Sequence, residues 1–232
     1  AISPDGTQIA YSESRWRGPK ESATSDLWVV NCETRAIERL TFEPCHDSNP
    51  RWSPDGESLY FLSSPRHEGE KLPPYDGKVQ VWRLHLASHR LDAVTRVEGG
   101  IADYRLSANG RAIYYTVSKE HKIDEWKDLR GEFSDLEYGH GVHKVSTLSK
   151  LDLGTWRTTQ LIDAKRHIDA FDVAPDESRI AMISVPNEQL LQREGWSRVD
   201  IYDVATSQIE SLPDDLWRQE APSPFGWLLE PV

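Results

Sequence analysis

The phrase Ser-Pro-Asp-Gly stands twice in this chain, at Ser3–Gly6 and Ser53–Gly56, and two altered copies follow, Ser-Ala-Asn-Gly from Ser107 and Ala-Pro-Asp-Glu from Ala174. The copies begin 50, 54 and 67 residues apart. Each leads into an apolar-alternating run: TQIAYSES, ESLYFLSS, RAIYYTVS and SRIAMISV. Proline presets φ near −65° at the second turn position, and glycine supplies the positive φ that other residues resist. Asn109-Gly110 is a strong hairpin dipeptide. In the fourth copy Glu177 takes the glycine's place, which predicts a turn of another type. A turn phrase used four times at such steps makes the chain a repeat protein, and that constrains its fold more than any single residue does.

The rest of each unit recurs as well. A second strand follows a variable stretch: SDLWVVNCET, VQVWRLHLAS, STLSKLDLGT and SRVDIYDVAT. A short polar turn then leads to a third strand, AIERLTF, RLDAVTR, RTTQLID or SQIESLP. SNPRW, IADYRL and IDAFDV mark a strand just before the turn phrase. Four short strands per unit with hairpin connections predict an all-β fold, a β-propeller of four-stranded antiparallel blades. The repeats run approximately 1–50, 51–104, 105–171 and 172–232, about four blades in this chain.

Composition removes several alternatives. A net charge of −11 argues against a nucleic-acid surface, which needs clustered Lys and Arg. No apolar run approaches the roughly 20 residues of a membrane helix, so no membrane partner is expected. The compartment stays open. Nine Trp and eight Tyr against one Met point to aromatic packing between sheets. Cys32 and Cys45 form no Cys-x-x-Cys pattern; they read as two free thiols, with a disulfide between neighbouring loops as the alternative.

With the strands labelled A to D within a unit, the turn phrase joins A to B, and every long insertion falls between B and C. The insertions are RWRGPKESAT, PRHEGEKLPPYDGK, KEHKIDEWKDLRGEFSDLEYGHGVHK and PNEQLLQREGW. Strands of a blade alternate in direction, so all four emerge on one side, where loops carry function. In the third, Ile123, Trp126, Leu129, Phe133 and Leu136 recur at three and four residues and predict a helical insertion over approximately 121–138. That helix either caps a blade edge or narrows an entrance. Trp16, Tyr75, Trp126, Tyr138 and Trp196 either pin the insertions onto blades or form an aromatic rim for a ligand.

Catalytic signatures are missing. The chain holds no Gly-x-Ser-x-Gly elbow, His-Glu-x-x-His helix or phosphate-binding loop, so no catalytic residue and no cofactor is assigned. DLEYGHGVH is the one local candidate for a divalent metal, through His140 and His143 with Asp135 and Glu137 nearby. Local hydrogen bonding of those histidines is the plainer reading.

The phrases RWSPDGESLYFLSS, SDLWVVNCETRAIERLT and AISPDGTQIAYSES resemble the TolB-like repeats of bacterial propellers. Their order, with long insertions and DLEYGHGVHKVSTLSKLDLGT, resembles the propeller of prolyl-oligopeptidase family serine peptidases, of the acylaminoacyl- and dipeptidyl-peptidase kind. The resemblance implies a ring of seven or eight blades covering an α/β-hydrolase domain that carries a Ser-Asp-His triad. It also implies a peptide substrate whose entry the propeller gates. By that likeness Trp126, Glu132, Asp135, Glu137 and Tyr138 are the residues for gating or for holding a substrate amino terminus, although no family motif matches them residue by residue. Pro231-Val232 falls in the place of Asn49-Pro50, just before another turn phrase would come. The chain therefore reads as a segment of a longer propeller, prone to self-association through open blade edges. Four units closing on themselves are the alternative. A TolB-like interaction scaffold without an enzyme is the second functional reading.

Overall fold

The four turn phrases build four copies of one corner. In the computed structural model Gly6, Gly56 and Gly110 adopt φ of +74°, +73° and +69°. Their amides donate to the carbonyls of Ser3, Ser53 and Ser107 at 2.9 Å. Ser3 Oγ donates to Asp5 Oδ1 (2.6 Å) and accepts from the Gln8 amide (2.9 Å). Ser53 repeats this with Asp55 and Ser58, and Ser107 with Asn109 and Ala112. The bond from Ser3 holds the Asp5 carboxyl below its ordinary value, and the bond from Ser53 does the same at Asp55. The fourth corner corrects the expectation of another turn type. Glu177 takes φ of +59° and donates to the Ala174 carbonyl at 2.8 Å, as the glycines do.

The structure describes residues 1–16, 23–122, 142–185 and 198–213. Among them there is no helix, and all regular structure is antiparallel strand. The first sheet has the order β1 (Gln8–Arg15), β2 (Thr24–Asn31) and β3 (Ile37–Arg39). Ahead of β1, Ile2 bridges Ile9. The second sheet is β4 (Ser48–Trp52), β5 (Ser58–Ser63), β6 (Gln80–His85) and β7 (Arg90–Ala93), in that order. The third runs from β8 (Asp103–Leu106) through β9 (Ala112–Lys122), β10 (Val142–Asp152), β11 (Thr158–Val173), β12 (Arg179–Val185) and β13 (Arg198–Asp203) to β14 (Gln208–Ser211).

One expectation changes here, and another falls almost wholly outside the described residues. The strands read separately as RTTQLID and IDAFDV are one 16-residue strand, β11. Its first part pairs β10 as far as Arg166, and its second part pairs β12 from His167 onward. No glycine or proline interrupts the span, so nothing forces a turn. The helix expected from about 121 lies, beyond Lys122, outside the described residues. His121 and Lys122 themselves extend β9.

The chain divides into two compact units, residues 1–115 with 152–155, and 116–151 with 156–232. In the first, Ala10, Leu27, Val29 and Leu40 of one sheet join Leu59, Phe61, Trp82 and Leu84 of the next in one buried cluster. Each fully buried Leu or Phe stabilises by about 1.5–3 kcal/mol. A threonine after the last strand adds a local tie: Thr41 Oγ1 accepts the Leu27 amide at 2.9 Å, and Thr95 Oγ1 accepts the Val81 amide at 2.8 Å.

Candidate functional site

The insertion between β5 and β6 is described throughout, and it folds back on itself. His67 donates its amide to the Tyr75 carbonyl (3.0 Å) and Gly77 to that of Pro65 (3.2 Å). Arg66 and Asp76 form an antiparallel bridge between the two arms. The His67 ring stacks on Tyr75 at 4.1 Å, and Tyr75 leans on Trp82 at 5.6 Å. Trp82 belongs to the buried cluster, so this aromatic series ties the insertion to its sheet. Trp16, where the description of the first insertion breaks off, is 77% exposed.

A polar cluster lies beside the insertion ends in the first unit. Cys45 Sγ stands 3.5 Å from Asp47 Oδ1 and 3.4 Å from Ser63 Oγ. The Asp47 carbonyl accepts from Ser12 Oγ and Ser25 Oγ at 2.7 and 2.9 Å. Burial, reinforced by the charge of Asp26, raises the Asp47 carboxyl against the opposing bonds from Ser63, Thr41 and Cys45. Burial likewise pushes the Cys45 thiol up to about 12. A thiol held that high carries almost no thiolate at neutral pH and is inert as a nucleophile. Both cysteines are free, Cys32 exposed and Cys45 buried.

The second unit holds the residue types of a serine-hydrolase triad without its geometry. Ser146 Oγ lies 3.4 Å from His167 Nδ1, and His167 Nε2 lies 2.8 Å from Asp169 Oδ1. Ser146 is fully buried on a strand, and its Oγ accepts the Ile168 amide at 3.2 Å. A nucleophilic hydroxyl must be reachable by its substrate, with a base in hydrogen-bond reach. This serine fastens β10 to β11 instead. Deeper in the same unit Asp200 is fully buried and accepts three side-chain bonds: from Arg166 Nη1 (2.6 Å), Ser184 Oγ (2.5 Å) and Ser211 Oγ (2.6 Å).

Of the residues singled out from the sequence, Trp126, Glu132, Asp135, Glu137, Tyr138 and His140 lie outside the described residues, as does Trp196. His143 stands in β10. Among the described residues no three His, Cys, Asp or Glu are grouped to hold a metal. The buried groups at Asp47 and Asp200 were missed in the sequence, although aligning the repeats exposes both. Asp47 stands where later repeats put Ile101 and Ile168, and Asp200 where earlier ones put Trp28 and Trp82.

No family model matches the chain. It is 30% identical over 115 residues to an uncharacterized peptidase, YuxL, of Bacillus subtilis, covering 50% of this chain and 16% of that protein. It is 27% identical over 154 residues to dipeptidyl-peptidase 5 of Porphyromonas endodontalis, covering 63% of this chain and 21% of that one. In fold it is similar to TolB from Acinetobacter baumannii, with a TM-score of 0.57 at 18% identity over 91% of this chain and 42% of TolB. It is also similar to acylaminoacyl peptidase from Pyrococcus horikoshii, with a TM-score of 0.59 at 12% identity over 89% of this chain and 31% of the peptidase. The chain thus spans well under a third of the length of these two curated relatives. The likeness to peptidase and TolB propellers read from the repeats agrees with these relatives.

Proposed function

We infer that this chain is a non-catalytic propeller segment of a prolyl-oligopeptidase-type serine peptidase, in which it gates peptide access and docks to an α/β-hydrolase domain of the same polypeptide. The observation that carries this reading is the sequence identity to two peptidases several times longer than the chain. In this reading the repeats 1–50, 51–104, 105–171 and 172–232 are about four blades of a seven- or eight-bladed ring. The insertion around 121–138, with Trp126, Glu132, Asp135, Glu137 and Tyr138, lines the entrance, and peptide is the substrate. Excising 123–138 from the full polypeptide then raises kcat/KM for longer peptides relative to dipeptide substrates, in a steady-state assay. A continuation of the gene with no Gly-x-Ser-x-Gly followed by Asp and His overturns the proposal. The likeness to TolB favours the second reading, a propeller scaffold for protein interaction with no enzyme attached. A stop soon after the last blade is the result it requires.

A further inference from the structure

The turns that follow β2, β6, β10 and β13 are built alike, and one residue in them departs from the rest. Each turn is tied back to a corner by an amide: Cys32 N to Thr7 O, Leu86 N to Glu57 O, Leu153 N to Arg111 O and Val204 N to Ser178 O, at 2.8 to 3.0 Å. The residues just before these amides are Asn31, His85, Asp152 and Asp203. Four positions after each of them stands a non-glycine residue at φ of +52° to +58°: Arg35, His89, Trp156 and Ser207. Asn31 Oδ1 accepts the amides of Glu33 and Thr34, Asp152 Oδ1 those of Gly154 and Thr155, and Asp203 Oδ1 that of Thr206. Such a side-chain oxygen is the usual cap of a turn. His85 has no oxygen to offer, and its ring bonds across the strands instead. The second repeat thus holds a titratable ring where the others hold a cap.

The ring's surroundings are ionic. His85 Nε2 lies 3.0 Å from Arg90 Nη2 and 3.0 Å from Asp92 Oδ2, and Arg90 Nη2 lies 3.0 Å from that same oxygen. On the other side of the ring, Nδ1 lies 3.3 Å from Ser58 Oγ. Arg83 Nη2 also donates to Asp92 Oδ2, at 3.1 Å. Tyr60 of β5 lies opposite Arg83, and Asp55 of the second corner is within reach of the charge of His85. His89 of the same turn lies 3.9 Å from Glu38 Oε1. Burial raises the Asp92 carboxyl, but the bonds from Arg83, Arg90 and His85 outweigh it and hold the group below its ordinary value. Asp92 therefore stays charged over the range of about pH 5–8 in which histidine changes its charge.

A ring nitrogen either carries a proton and donates or is bare and accepts, whereas a guanidinium only donates. The contact with Arg90 therefore requires a bare Nε2, with the ring's proton on Nδ1 and donated to Ser58 Oγ. Arg90 Nη2 then bridges the ring and the carboxylate. A second proton, taken from solvent, lands on Nε2. That N–H donates to Asp92 Oδ2 and meets the guanidinium with like charge. We propose that His85 is an acid-operated latch on Arg90: the neutral ring holds the guanidinium against Asp92, and the protonated ring takes Asp92 for itself and releases Arg90 to solvent. Arg90 is largely exposed already, so its release disturbs no packing. Every group of the latch lies within the first unit, and the inference is independent of the peptidase reading.

The test is nuclear magnetic resonance of the isotope-labelled 232-residue chain, following the ring nitrogens of His85 and the Nε–H of Arg90. At about pH 8 the wild type has Nδ1 protonated and Nε2 bare. As pH falls to about 5 the ring charges, and the Arg90 signal moves toward that of a free arginine along the same titration curve. His85→Asn restores the cap of the first repeat and carries no charge at any pH, so in it the Arg90 signal stays in place. Arg90→Met leaves the neutral ring facing Asp92 alone, and its proton moves to Nε2. Circular dichroism checks that both variants fold, and His85→Gln replaces His85→Asn if it does not. A wild-type ring protonated on Nε2 at about pH 8 overturns the proposal. So does an Arg90 signal that ignores the ring's titration or moves equally in His85→Asn, or a tautomer unchanged in Arg90→Met.

Discussion

In β6 the residue after Val81 is Trp82, and in β13 the residue after Val199 is Asp200. Equivalent outer-strand bonds, Val94 N to Val81 O and Leu212 N to Val199 O at 2.9 Å, put the two in the same place of the repeat. Trp82 sits opposite Phe61 and Ala93; Asp200 sits opposite Met182 and Ser211. Both are buried, Trp82 through apolar area and Asp200 through three donors on its two oxygens. One slot therefore accepts either a large ring or a carboxylate, provided its neighbours change with it. Phe61 becomes Met182 and Ala93 becomes the donor Ser211, while the serine common to both places, Ser63 and Ser184, donates to the carboxylate in the later repeat. The repeat conserves a backbone and a degree of burial here, and the chemistry inside them is set by the neighbours.

The comparison breaks most readily on the ionic side. Removing Arg166 strands a fully buried carboxylate, and losing one partner of such a pair costs about 3–5 kcal/mol. Arg166→Met is expected to lower stability by that amount in urea denaturation. Combining it with Asp200→Leu is expected to recover most of the loss, because the stranded charge goes with the second substitution. A single variant within about 1 kcal/mol of wild type would show that Asp200 is held by the serines alone.

On the apolar side Trp82→Ala is expected to cost about 3–5 kcal/mol, in lost transfer energy and the cavity left behind. The same slot sharpens the contrast, because Trp82 Nε1 is buried without an acceptor among the described residues whereas each Asp200 oxygen has a donor. Trp82→Phe removes that N–H along with part of the ring. Its loss is expected to stay below about 1.5 kcal/mol, as for a modest change of core shape. A loss as large as that of Trp82→Ala would mean that the indole edge fills a space phenylalanine cannot.

What the sequence made legible follows from the range of the forces involved. The corners at Ser3, Ser53 and Ser107 are closed by bonds spanning two to five residues, so their composition announces them. Strand alternation, the sheets of β4–β7 and β12–β14, and the aromatic anchoring of Tyr75 were readable for the same reason. The continuity of β11 was not, because a strand that changes partners midway carries no local mark except the lack of a break. Asp47 and Asp200 are set by contacts between strands far apart in sequence, and they look like ordinary acidic residues until the repeats are superposed. The assignment of Trp126, Glu132, Asp135, Glu137 and Tyr138 to gating rests on family likeness alone, and no local sequence chemistry at those positions distinguishes a gate from a cap.

Asp47 offers a smaller effect with a pH signature. In the slot that holds Ile101 and Ile168 in later repeats, Asp47 is buried and its carboxyl is raised by that burial. The folded state then keeps a proton that the unfolded chain gives up near pH 3.9. The resulting stabilisation is complete below that value, lost as pH rises through the higher folded value, and flat above it. Asp47→Asn removes the titration, so stability against pH loses this downward step while the fold is kept. Parallel curves for the two proteins from pH 4 to 8 would leave the raised carboxyl without thermodynamic weight.

The smallest expected effect lies at the fourth corner, where the repeat departs from its own turn chemistry. A non-glycine residue in the left-handed region costs about 1–2 kcal/mol, and Glu177 bears that cost at φ of +59°. Its Oε2 accepts from Lys150 Nζ at 2.6 Å, a half-buried pair that stabilises by no more than about 1 kcal/mol. Glu177→Ala keeps the strain and loses the pair, so it is expected to destabilise by up to about 1 kcal/mol. Glu177→Gly loses the pair too but relieves the strain, against the roughly 0.5–1 kcal/mol of extra unfolded-chain entropy that glycine brings. Glycine should therefore exceed alanine in thermal stability and lie close to the wild type. If alanine equals or exceeds glycine, the left-handed corner carries no strain.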